Sequence, residues 1–145
     1  MPANTRCARG HATFDHTADI GLEAWGSTFG EALAEAGLGL QAIVLHGGTV
    51  RARDSRTFRV AADDADALVV AWLSELLYAL DVHGWLSASF EVSANEEFQL
   101  SATARGETLD EARHVLGVGV KAVSYHELAV QCESDAVRIR VIVDV

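Results

Sequence analysis

Between residues 86 and 104 the chain alternates apolar and polar side chains twice over. Leu86, Ala88, Phe90 and Val92 interleave with Ser87, Ser89, Glu91 and Ser93; after a short connection over 94–97, Phe98, Leu100, Ala102 and Ala104 resume the pattern. A period of two marks a strand with one buried face, so the stretch predicts a β-hairpin. The same rhythm recurs near both ends. Ile20, Leu22 and Ala24 oppose Asp19, Gly21, Glu23 and Trp25, while Val137, Ile139, Val141, Val143 and Val145 oppose Arg138, Arg140 and Asp144. Phe58 and Val60 alternate with Thr57 and Arg59 in a strand over 57–62. Residues 118–132 read as one long strand that turns at Asp135 and Ala136 into the last. Residues 107–117 carry little pattern and read as a loop or short turn. So many half-buried strands require something apolar to cover them.

Two helical segments supply the cover. Thr28 and Glu31 have capping-box spacing, and Phe29, Leu33, Ala36, Leu40 and Ile43 follow at helical intervals toward an end near His46. Gly37 and Gly39 each weaken that helix by about 1 kcal/mol relative to alanine. Asp63, Asp64 and Asp66 suit the positive end of a second helix, whose stripe is Val69, Trp72, Leu73, Leu76, Leu77 and Leu80. The expected fold is therefore α+β and two-layered, a mostly antiparallel sheet with two amphipathic helices on one face. With 145 residues it is read as one domain over 1–145, residues 1–11 forming a disordered lead.

Charge narrows the partners. Eleven basic and twenty-one acidic residues give 11 − 21 = −10, an acidic balance over the chain as a whole. Direct nucleic-acid binding, which draws on phosphate neutralisation, is disfavoured; a basic protein partner is easier to accommodate. Of the three tryptophans, Trp72 belongs to the core stripe, so Trp25 and Trp85 make no stacking platform with it. Cys7 and Cys132 belong to no CxxC pair and are expected to be reduced. Neither an apolar signal region nor a membrane-length run is seen, so a soluble cytoplasmic protein is expected. GxSxG and HExxH are absent, and GLGL at 37–40 lies within the first helix rather than in a phosphate loop.

Chemistry concentrates where the ends of the chain could meet. If the first and last strands pair, Asp19, Asp144 and the terminal carboxylate of Val145 converge. Such a group repels itself unless it is solvated, protonated or bridged by a cation, and hard oxygen donors favour Ca²⁺, Mg²⁺ or Mn²⁺ over Zn²⁺. The plain alternative is that Asp19 caps a turn while Asp144 is solvated. His16 can ligate, carry a proton or hydrogen-bond a loop backbone. His126 shares parity with Val120 and Val130, which predicts a partly buried, hydrogen-bonded ring. Lys121, of opposite parity, either meets the acidic surface or is solvated. From the residues alone, a small metal-dependent hydrolase using Asp19, Asp144 and His16 or His126 stands open.

DHTADIGLEAWG at 15–26, LVVAWLSELLYALD, RGE at 105–107, VKAVSYHEL and the final VIVDV together resemble the archease family, in family order over essentially the whole chain. The resemblance implies a two-layer α+β fold and a non-enzymatic activator of the GTP-dependent RNA ligase of the RtcB type, which seals tRNA halves in tRNA splicing. It implies promotion of ligase guanylylation and multiple turnover. It also implies a divalent site, generally calcium, at Asp19, Asp144 and Val145, with Asp15 and His16 beside it and Lys121 assisting activation. Gly30 departs from the family, where an acidic residue is common. A chaperone-like partner of RNA-modifying enzymes is a third reading.

Overall fold

The computed structural model describes residues 8–16 and 18–145. Cys7 and residues 1–7 of the expected disordered lead lie outside them, whereas Gly10 and His11 belong to a strand. The elements are β1 (Gly10–His16), β2 (Asp19–Gly26), α1 (Phe29–Val44), β3 (Leu45–Gly47), β4 (Asp54–Ala61), α2 (Ala65–His83), β5 (Trp85–Ala94), β6 (Gln99–Thr108), β7 (Val115–Leu116), β8 (Ala122–Cys132) and β9 (Val137–Asp144).

The helices begin as their sequences dictate. Thr28 caps α1 by accepting from the Glu31 amide, and Glu31 reaches back to the Ser27 amide at 3.2 Å. Asp64 caps α2 through the Ala67 amide at 2.7 Å, and Gly84 ends it in the left-handed region at φ 63°. The first helix stops at Val44, short of the expected His46, because Leu45 and Gly47 pair with β7.

The fold is α+β as expected, and every ladder among the described residues is antiparallel. The strands do not form one sheet, however. They divide into a four-stranded sheet ordered β1-β2-β9-β8, a three-stranded sheet ordered β4-β6-β5, and the small β3-β7 pair. Helix α1 packs on both β2 and β5, and α2 on both β8 and β4, so the helical layer joins the two larger sheets. Trp72, fully buried, anchors that layer: its ring meets Phe58 and Phe90 edge-on at 5.7 and 5.3 Å, and its Nε1–H donates to the Leu33 carbonyl at 2.8 Å.

Close approach explains the helical glycines. A Cβ on Gly39 would lie 2.5 Å from Leu22 Cδ1, and one on Gly37 would lie 2.8 Å from Leu76 Cδ1. Their helix-propensity cost is offset by seating α1 directly on β2 and α2. His11 on β1 and Arg9 just before it both bind the buried Glu35 of α1, at 2.9 and 2.6 Å, tying the edge strand to the helix.

Three local expectations are corrected. The stretch 107–117 is not a plain loop, since β6 continues to Thr108 and β7 follows. Phe98 sits in the hairpin turn at φ 58° rather than in the strand. The long strand predicted over 118–132 starts only at Ala122 and is broken by a bulge between Ser124 and Ala129.

Candidate metal centre

Antiparallel pairing of β2 with β9 decides which side chains meet. Ile20↔Val143, Leu22↔Val141 and Ala24↔Ile139 fill the face toward the helices. The intervening pairs therefore look the other way, and the last of them is Asp19↔Asp144. Directly paired residues share a face with Cβ atoms about 4.5–5.5 Å apart, so the two carboxylates are neighbours on the outer face. Both are half-buried. On the far side of β9 the Lys121 amide donates to the Asp144 carbonyl at 2.8 Å, and Ala122 is the partner of Asp144. Val145 follows at once and is packed partly against the core. Two adjacent carboxylates with main-chain oxygens beside them form a donor set that fits a hard divalent cation.

The β1–β2 hairpin sets the other predicted residues. His16 pairs with Asp19 and shares its outer face; Asp15 pairs with Ile20, is exposed, and belongs to the opposite face. Asp15 is thus near the carboxylates in sequence but not on their side of the sheet. His16 Nδ1 stands 3.7 Å from Asp19 Oδ2, and Nε2 lies 2.7 Å from Glu127 Oε2. Lys121 is exposed.

His126 overturns its expected burial. Its side chain is 68% exposed, and its ring centroid lies 6.0 Å from that of His16. Parity failed because β8 is irregular there: residues 125–128 all stand opposite Val141, between the pairs Ser124↔Ile142 and Ala129↔Arg140. Glu127, at the centre of that bulge, has φ 55°. Its carboxylate is held below the usual range by the hydrogen bond to His16, and further by the charges of His16, His126 and Arg140, against an opposing contribution from partial burial. Sequence reasoning missed Glu127 altogether.

It also missed a buried polar network around Glu107, at the end of β6. Glu107, 4% exposed, accepts from the Arg51 amide at 2.7 Å and from the Arg113 guanidinium. His114, equally buried, accepts from the Asp110 amide at Nδ1 and faces the Thr49 carbonyl with Nε2 at 3.1 Å. The Arg51 amide, then Arg113 and His114, hold the Glu107 carboxyl down to about 2 although burial acts in the opposite sense. The network fastens residues 110–114 to Thr49 and Arg51.

A model of the Archease protein family (MTH1598/TM1083) matches residues 11–145. Protein archease of Thermococcus gammatolerans is 34% identical over 121 residues, 81% of this chain and 85% of its own. Protein archease of Methanosarcina acetivorans is 32% identical over 135 residues, 90% and 92% of the two chains. The solution structure of protein 1598 from Methanobacterium thermoautotrophicum matches with a TM-score of 0.78 and 29% identity, over 94% of this chain and 99% of that one. A crystal structure described as an archease and possible chaperone, from Thermotoga maritima, shares the fold with a TM-score of 0.57 at 16% identity. No helix among the described residues is long and apolar enough to cross a membrane.

Proposed function

The chain belongs to the archease family, and from that premise we propose that it activates a GTP-dependent RNA ligase of the RtcB type as a non-catalytic protein cofactor. The observation that carries the reading is the Asp19↔Asp144 pair. Residues far apart in the chain are held on one face by eight rungs of the β2–β9 ladder, from Asp19↔Asp144 to Gly26↔Val137. In this reading Asp19 and Asp144, with the main-chain oxygens of Val145, hold a divalent cation, calcium in preference to Mg²⁺ or Mn²⁺. When bound, the cation relieves the repulsion between the carboxylates and offers remaining coordination positions to a partner's oxygen.

The rest of the action belongs to the protein surface. A net charge of −10 favours encounter with a basic RNA-binding enzyme. Lys121, beside Asp144 at the end of the same sheet, contributes a cation that orients the docked partner. An activator shifts its target only by binding the competent arrangement more tightly. Here that arrangement is the ligase poised for guanylylation, so the benefit is multiple turnover rather than a new reaction. The test is multiple-turnover ligation with GTP, with and without this protein. Faster turnover with it, diminished by Asp19→Asn or Asp144→Asn, supports the reading; identical turnover in all arms rejects it.

A further inference from the structure

In a regular strand, consecutive residues point to opposite faces. His126 and Glu127 do not: both present polar atoms toward His16, with Nε2 of His126 3.5 Å and Nε2 of His16 2.7 Å from the same Glu127 oxygen. The left-handed backbone at Glu127 produces this re-aiming, and for a residue with a Cβ that conformation is uncommon and strained. The reach is also unusual. Strands β1 and β8 are the two edges of the sheet, three spacings or about 14 Å apart, so the segment 125–128 arches over the outer face to bring Glu127 to His16. Bulges of this kind recur where a side chain must be re-aimed.

We infer that His16, His126 and Glu127 form a second metal site, one that takes a borderline transition ion such as Zn²⁺. One donor atom from each lies within 4.8 Å of the others. Two imidazoles and one carboxylate are a donor set suited to Zn²⁺, whose bonds of about 2.0–2.2 Å need ligand atoms roughly 3.3 Å apart in a tetrahedron. Rotation of the exposed His126 and Glu127 side chains suffices to open the present contacts to that spacing. A second observation concerns the inner nitrogen of His16. Its Nδ1 is buried and has no hydrogen-bond partner among the described residues, while Asp19 Oδ2 stands 3.7 Å away. A metal on Nε2 fixes the tautomer with the proton on Nδ1, and a small ring movement lets that N–H donate to Asp19. Histidine ligands are commonly oriented by such a carboxylate. Three protein ligands leave one position open.

The site is distinct from the oxygen-donor pair Asp19 and Asp144, although Asp19 touches both, and it does not depend on that pair holding calcium. The full chain is titrated with Zn²⁺ against a chromophoric chelator, and with Co²⁺ while its visible absorption is recorded. Wild type binds one Zn²⁺ that His126→Ala and Glu127→Ala each weaken by about tenfold or more, and Co²⁺ gives tetrahedral bands that both variants lose. Asp144→Asn retains both signals whether or not it has lost calcium. His126 is exposed, so its variant reports ligation rather than misfolding, and unchanged circular dichroism checks this. Equal Zn²⁺ affinity in wild type, His126→Ala and Glu127→Ala, or Co²⁺ bands that persist in the variants, overturns the site.

Discussion

Asp19 and Asp144 are direct partners at the end of the β2–β9 ladder, on the face turned away from the helices. A shift of one residue in that register would send one carboxylate into the apolar layer beside Leu22 and Val141. The buried neighbours therefore protect the acidic pair: the core enforces the register, and the register places the carboxylates.

Alanine at Gly39 tests how closely the helix is seated on that sheet. Helix propensity alone predicts a gain of about 1 kcal/mol, but the added methyl meets Leu22 Cδ1 at 2.5 Å. Overpacking of this kind costs about 1–3 kcal/mol. Chemical denaturation of Gly39→Ala should therefore show none of that gain, since a shifted Leu22 tip still leaves His11 Cβ at 3.2 Å, whereas Gly119→Ala, whose methyl meets nothing within 4 Å, should change little.

Asp64→Ala should cost about 1 kcal/mol in the same measurement, because the Ala67 amide loses its acceptor at the start of α2. Asp64→Ser, which keeps an acceptor, should recover most of it.

The Glu107 network predicts an acid transition. Because the folded carboxyl is lowered from 4.5 to about 2, Glu107 contributes fully above pH 4.5 and loses that contribution as the pH falls toward 2. Glu107→Gln should be less stable than wild type at neutral pH, and the difference should narrow across that window. Thermal melts at pH 7, 4 and 2.5 provide the comparison; a difference independent of pH would remove Glu107 from the titrating network.

Sequence pattern reaches some of this architecture and not the rest, for physical reasons. Helix α2 is legible because the acidic start at Asp64 and the stripe through Trp72 and Leu77 specify one helix. The convergence of Asp19 and Asp144 is legible because Ile20, Leu22 and Ala24 in one strand and Ile139, Val141 and Val143 in the other keep a period of two, although Ile142 adds an apolar residue on the other parity of β9. Strand β1 is not, since all seven of its residues are exposed or half-buried at a sheet edge and carry no apolar alternation. His126 and Glu127 defeat parity because the bulge at 125–128 suspends it. Glu107 and His114 are hidden differently: a buried carboxylate is satisfied by partners at positions 51 and 113, and no local rhythm announces a network assembled from separate loops. Separation of the two larger sheets is likewise a property of the helices that pack on both, not of any strand.

Calcium calorimetry on wild type, Asp19→Asn, Asp144→Asn and the double variant tests the shared cation most directly. Each single change should remove most of the binding, with the double variant little worse than either, since ligands of one ion are strongly coupled. Wild type that binds no calcium, or small independent losses that simply add, would contradict it.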